Sequence, residues 1–169
     1  MTTQTVYLPS RQEKSRQDFV LALKLLANGA AQRRVREEYR RTVLPEVSRR
    51  MGSAPARRQD VLPDLVRSAA FRQWAVLTHK SQSMMWDAIE ATTHRVAPEA
   101  ARRMSRLRVA ATHRGSLELD PSLQVPAPIG NTEIHRQPGG YVGSPDPDDV
   151  TSGLRYIGAA MIYSVGKGQ

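Results

Sequence analysis

Cysteine is absent from the 169-residue chain. That excludes a disulfide framework and thiolate chemistry, and it fits a reducing, cytoplasmic setting. Aromatic residues make up only 5% of the sequence, so Leu, Val, Ala, Ile and Met must supply most of the packing. No run of about 18 apolar residues occurs, so no membrane-spanning helix is expected. The opening stretch MTTQTVYLPSRQEKSRQDF lacks the apolar segment of a signal peptide. His79, His94, His113 and His135 show no HExxH-like spacing and no surrounding carboxylate cluster, so no metal site is expected. There is no GxSxG elbow. The glycines of PGGYVG follow TEIHRQ, a poor buried strand, so they do not form a phosphate cradle of the GxGxxG or P-loop kind. They read instead as a turn needing positive φ at Gly139 or Gly140.

What is present is basic charge and helical periodicity. Residues 1–114 hold 22 Lys/Arg against 10 Asp/Glu, whereas residues 115–169 hold 3 against 6, and nearly all the basic residues are arginine. A basic half of this kind suits nucleic acid, an acidic partner or a solvated helical surface. The hydrophobic content of 40% and the length allow one domain with its own core.

Residues 11–28 carry Phe19, Val20, Leu23 and Leu26 on a helical period, with Asn28-Gly29 as a C-cap pair. Val35, Tyr39, Val43, Val47 and Met51 then recur every four residues, forming one apolar stripe among Arg and Glu, with a kink or break expected at Pro45. After a loop with Ser53 as a candidate N-cap, Val61, Leu62, Leu65 and Val66 give a short apolar face interrupted by Pro63. Ser68 opens the longest helical segment, with Phe71, Trp74, Leu77, Met84, Met85, Ala88 and Ile89 on one side. Ala97-Pro98 is expected to stop it, and a further helix to run from Pro98 to Gly115. Trp74, Met84, Met85 and Trp86 form an aromatic–thioether cluster suited to core packing or to the wall of an apolar pocket.

Beyond residue 114 the texture changes. Residues 115–147 are rich in proline and glycine, yet Leu123, Val125, Ile129 and Ile134 make an ordered crossover the expectation, with a short strand allowed at Leu117 and Leu119. Asp146 and Pro147 suit the start of a last amphipathic helix within 148–169, and Asp148 and Asp149 favour its positive end. Val150, Leu154, Ile157, Met161, Ile162 and Val165 form its apolar stripe, and Gly153, Gly158, Ala159 and Ala160 permit close helix approach. The fold class is therefore mostly α, with about five or six helices and a Pro/Gly-rich crossover before the last.

The segment EIHRQPGGYVG, followed by DDVTSGLRYIGAAMIYSVGKG, resembles the N-terminal helical region of bacterial class I S-adenosylmethionine-dependent methyltransferases. ANGAAQRRVREEYRRTVLP and SQSMMWDAI also look like that region. In such enzymes a segment like IHxQPGGY and a helix like GxxYxxGxxxYxxG precede the Rossmann-like core with its DLGxGxG loop. The 169 residues contain no such loop and no βαβ alternation. The resemblance thus implies a substrate-side or assembly region that is not catalytically complete by itself. S-adenosylmethionine would serve the complete enzyme but would not bind this chain alone. The methyltransferase core, in cis or trans, would be its partner, beside a small-molecule substrate. It further implies His135 as a candidate base, its unperturbed pKa lying near neutrality. Gln137, Tyr141, Arg155 and Tyr156 would face substrate or cofactor, with Trp74 and Met85 as apolar wall.

Two other classes of function remain open on the sequence. One is a basic helical module binding nucleic acid through arginines such as Arg33, Arg34, Arg40 and Arg41. The other is a structural module that self-associates into a homo-oligomer through the apolar stripe of residues 150–165.

Overall fold

In the computed structural model, residues 7–110, 120, 122–124, 126–130, 134–137 and 149–163 are described. Among them there is no strand, and the protein is mostly α-helical, in five continuous helical runs.

The first run is composite. Helix α1 (Arg11–Leu26) passes into a π turn (Ala27–Ala31), then α2 (Gln32–Glu38), a second π turn (Tyr39–Val43) and α3 (Leu44–Met51). A capping box starts it: the Ser10 amide donates to Glu13 Oε2 at 2.7 Å, and the Glu13 amide donates to Ser10 Oγ at 3.3 Å. The expected stop at Asn28-Gly29 does not occur. Both residues lie within the first π turn, flanked by buried Ala27 and Ala31, and burial on that face outweighs the local preference of Asn-Gly for a cap. The end comes at Gly52, whose φ of 71° supplies the left-handed C-cap.

The π turns also explain the four-residue spacing of the second apolar stripe. Side chains four apart drift by roughly 40° per step on a helix of 3.6 residues per turn. A wider π turn absorbs that drift, and Val43 and Val47 are both buried. Pro45 falls at the start of α3, just after the second π turn, and causes no break.

Helix α4 (Arg58–Leu65) contains Pro63 and is capped by Asp60, whose Oδ2 accepts from the Arg57 amide at 2.9 Å, not by Ser53. Helix α5 (Ala69–Ala110) opens at Ser68, whose Oγ accepts from the Phe71 amide at 3.0 Å. It runs through Pro98 without the expected division into two helices. Proline removes one backbone donor there, but the flanking turns bury Val96 and Ala100 in the core, which holds the helical path. Among the described residues of the Pro/Gly-rich region, α6 (Ala127–Gly130) and a single turn at Ile134–Arg136 are regular. The expected strand at Leu117 and Leu119, the helix end at Gly115 and the cap at Asp146 lie outside the described residues. Helix α7 (Thr151–Tyr163) is headed by Asp149, whose Oδ1 accepts from the Thr151 amide at 2.8 Å.

The chain divides into two compact units. One comprises Met1–Asp18 with Met85–Gln169, the other Phe19–Met84. In the first, Tyr7, Val96, Ala100 and Leu154 form a buried cluster, with Ala97, Val150 and Met161 packed against it. At Gly158 helix α7 lies close against its neighbours: a Cβ there would fall 2.5 Å from the Tyr7 hydroxyl oxygen and 2.9 Å from an Ile89 methyl. The buried face of α7 runs through Leu154, Gly158, Ala159 and Ile162, while Ile157 is exposed. Much of the apolar stripe expected to drive self-association is thus interior; Val165 lies outside the described residues.

The buried side of α1 also differs from expectation. Glu13, Gln17, Val20, Lys24 and Ala27 are buried, whereas Phe19 is 60% exposed and Leu26 49%. Polar residues sit inside because each finds a partner on α5. In the first unit Arg95 grips Glu13 through Nε and Nη2 at 2.8 and 2.6 Å, and Gln17 Nε2 donates to Thr92 Oγ1 at 3.1 Å. In the second, Lys24 Nζ donates to Gln82 Oε1 at 2.7 Å.

Candidate functional site

Within the first unit, helix α7, the end of the Ile134–Arg136 turn and one position on α5 surround a groove of about 430 Å3, lined by Trp86, His135, Gln137, Tyr156, Ala159, Ala160 and Tyr163. Its construction follows from helix periodicity. Tyr156, Ala160 and Tyr163 stand at i, i+4 and i+7, so they share one face of α7. Two tyrosines then flank a small residue, and the missing bulk at position 160 leaves room between the phenol rings. Both rings are open to solvent, Tyr156 by 76% and Tyr163 by 55%. Trp86 is the opposite case, buried to all but 5%.

The histidine is delivered by an unusual backbone. His135 and Arg136 both have φ of 57°, in the left-handed region that costs non-glycine residues roughly 1–2 kcal/mol each. A hydrogen bond fastens this turn: the Trp86 indole Nε1 donates to the His135 carbonyl at 2.8 Å. One residue thus forms a wall of the groove and also holds the segment that presents the imidazole. Gly139 and Gly140, where positive φ was expected, lie outside the described residues.

Of the residues singled out from the sequence, His135, Gln137 and Tyr156 come together here, from segments about twenty residues apart in the chain. Tyr141 lies outside the described residues. Arg155 does not line the groove. Its Nε and Nη2 donate to Glu90 Oε1 and Oε2 at 2.6 and 3.1 Å, and its Nη1 to Thr151 Oγ1 at 3.4 Å. That engagement ties α7 to α5 and raises the guanidinium pKa. Met85 is fully buried and absent from the groove lining. Trp74 belongs to the other unit, where its ring lies 5.6 Å from that of Phe71. Trp86, read from the sequence as core packing or the wall of an apolar pocket, lines the groove, and Ala159, Ala160 and Tyr163 are the site residues that sequence reasoning left out. The i, i+4, i+7 spacing from Tyr156 could have found two of them.

Chemically the groove combines aromatic faces, a small-residue floor, one imidazole and one carboxamide. Aromatic faces accept planar rings and alkyl cations. The imidazole can accept a proton, and the amide can orient a polar substituent. Among the described residues no group of three or more His, Asp or Glu side chains converges as a metal ion would need. No helix of the described residues is long and apolar enough to cross a membrane. Comparison with protein-family models, with curated proteins and with solved structures finds no match.

Proposed function

We propose that this chain is the substrate-side helical region of an S-adenosylmethionine-dependent methyltransferase, and that the Trp86–Tyr156 groove receives the acceptor molecule. The observation that supports the reading is the convergence of His135, Gln137 and Tyr156. They come from the two stretches that carry the sequence resemblance, and they line one cavity. The described residues offer no strand feeding a glycine-rich loop, the arrangement that cradles a dinucleotide-like cofactor, so the methyl donor is not assigned to them. What this chain contributes is binding and orientation. Trp86, Tyr156 and Tyr163 sandwich a flat or alkyl-bearing acceptor, Gln137 fixes its polar edge, and His135 takes the proton released as the acceptor atom is methylated.

Two experiments test this. In a Trp74→Phe background, which leaves Trp86 as the one tryptophan of the sequence, fluorescence is titrated with a panel of small aromatic acceptors, such as phenols and quinolines. Quenching that saturates, and that Tyr156→Ala abolishes without altering the circular dichroism spectrum, supports the groove; a flat titration across the panel overturns it. The coding sequence on either side of these codons is then read. A glycine-rich loop after a buried strand, in frame or in an adjacent gene, supports the methyltransferase assignment, and its absence defeats that assignment while leaving the groove result standing.

A further inference from the structure

The charge of the protein is concentrated in one of its units. Residues 19–84 hold 13 Lys/Arg against 5 Asp/Glu, a surplus of +8, whereas the other unit holds 12 against 11. The net charge of +9 therefore belongs almost wholly to the unit that does not contain the groove.

Inside that unit the surplus is gathered on one helical surface. Between residues 33 and 50 the exposed positions include Arg33, Arg34, Arg36, Arg40, Arg41, Arg49 and Arg50, against two exposed acids, Glu37 and Glu46. The opposite side is apolar, with Val43 and Val47 buried and Val35 and Tyr39 half-buried. Arg50 is bound by Asp64 at 2.7 and 3.2 Å, and Arg36 donates to Gln32. Arg33, Arg34, Arg40, Arg41 and Arg49 make no hydrogen bond or ion pair among the described residues. Along a helical path of about 1.5 Å per residue they cover roughly 24 Å.

We infer that this arginine face binds the phosphate backbone of double-stranded nucleic acid without sequence preference. Three features select that partner among anionic ones. The cations are all guanidinium groups, whose forked donors match phosphate oxygens in pairs. A duplex carries a negative charge about every 1.7 Å of axis, dense enough to meet every arginine along such a length. A membrane-surface helix would place large apolar side chains in register with its cations, and a single-strand binder would interleave aromatics for base stacking. The exposed positions from 33 to 50 carry neither. The inference is independent of the proposed methyltransferase role.

The test is fluorescence anisotropy of a labelled 20-base-pair DNA duplex titrated with the full chain. Binding is expected to weaken about a hundredfold between 50 and 200 mM salt, as for about four neutralised phosphates. The variant R33Q/R34Q/R40Q/R41Q is expected to lose at least tenfold in affinity at 50 mM salt. The variant R11Q/R16Q/R102Q/R106Q removes the same charge from exposed positions in the other unit and should bind almost as the parent does. Circular dichroism establishes that both fold. Equal losses in the two variants would reduce the effect to net charge and overturn the inference. So would absence of duplex binding, or tighter binding to anionic phosphatidylserine vesicles than to the duplex.

Discussion

Gly158 sits so close to Tyr7 that a methyl group at position 158 would fall 2.5 Å from the tyrosine hydroxyl oxygen and 2.8 Å from the ring carbon bearing it. Tyr7 is fully buried, and burial pushes its hydroxyl pKa up. To accept a methyl group there, the buried tyrosine or the helix must shift. Gly158→Ala is therefore expected to destabilise the fold by about 1–3 kcal/mol, although alanine is the better helix former. Tyr7→Phe in the same chain should recover only part of the loss, because it removes the oxygen while the ring carbon and the Ile89 methyl at 2.9 Å remain. Urea unfolding of the two single variants and the double variant measures the coupling. Full additivity would contradict the contact.

Glu13 closes the capping box of α1 and accepts both donors of Arg95, so its carboxyl is held down at about 2, below the usual 4.5, chiefly by the Arg95 hydrogen bonds. A carboxylate with a depressed folded-state pKa stabilises above its unfolded pKa, and that contribution is lost as pH falls through the folded value. Thermal stability should therefore decline between about pH 4.5 and pH 2 in the parent chain. Glu13→Gln should show a lower melting temperature at pH 7 and a flatter profile across that acid range. Its cost at neutral pH should be about 2 kcal/mol, from the charge-assisted bonds and the cap together. Parallel acid profiles for the two proteins would rule this account out.

The periodicity of the long helix and its start at Ser68 were legible because both are local: neighbouring residues set them. The inward side of α1 was not. Glu13, Gln17 and Lys24 look like surface residues until their partners arrive from 82, 75 and 58 positions away. The same distance hid the role of Arg155, whose acid is 65 residues earlier. The groove was half legible. His135, Gln137 and Tyr156 stand out by residue type, whereas Ala159 and Ala160 contribute by what they leave empty. Stop signals misled in the other direction, at Asn28-Gly29 and at Pro98, where burial on either side carries the helix across a locally unfavourable residue.

The reversal of the α1 face gives a sharp contrast between adjacent residues. Phe19 is 60% exposed and Val20 only 2%. Phe19→Ala should change stability by no more than about 0.5 kcal/mol, as exposed substitutions do. Val20→Ala should cost on the order of 1–2 kcal/mol through lost burial and the space left behind. Chemical denaturation of both variants decides it. A larger loss at the phenylalanine would restore the face expected from hydrophobicity alone.

Arg155 and Glu90 offer the clearest case of geometry over charge. Two parallel bonds at 2.6 and 3.1 Å join them, with side chains only 17% and 19% exposed, and His94 Nε2 stands 3.0 Å from the same carboxylate. A lysine at 155 keeps the positive charge but presents a single point donor in place of a planar fork. Arg155→Lys is therefore expected to cost about 1 kcal/mol, the worth of one lost bond. Arg155→Met leaves Glu90 partly desolvated with only His94 beside it, and should cost about 2–4 kcal/mol. The double variant Arg155→Met/Glu90→Leu should recover much of that loss, because it removes the uncompensated carboxylate as well. Melting temperatures of the parent, Arg155→Met, Glu90→Leu and the double variant at pH 7 form the cycle. The pair is confirmed as a tether of α7 if the double variant is more stable than Arg155→Met alone, and the assignment fails if the losses simply add.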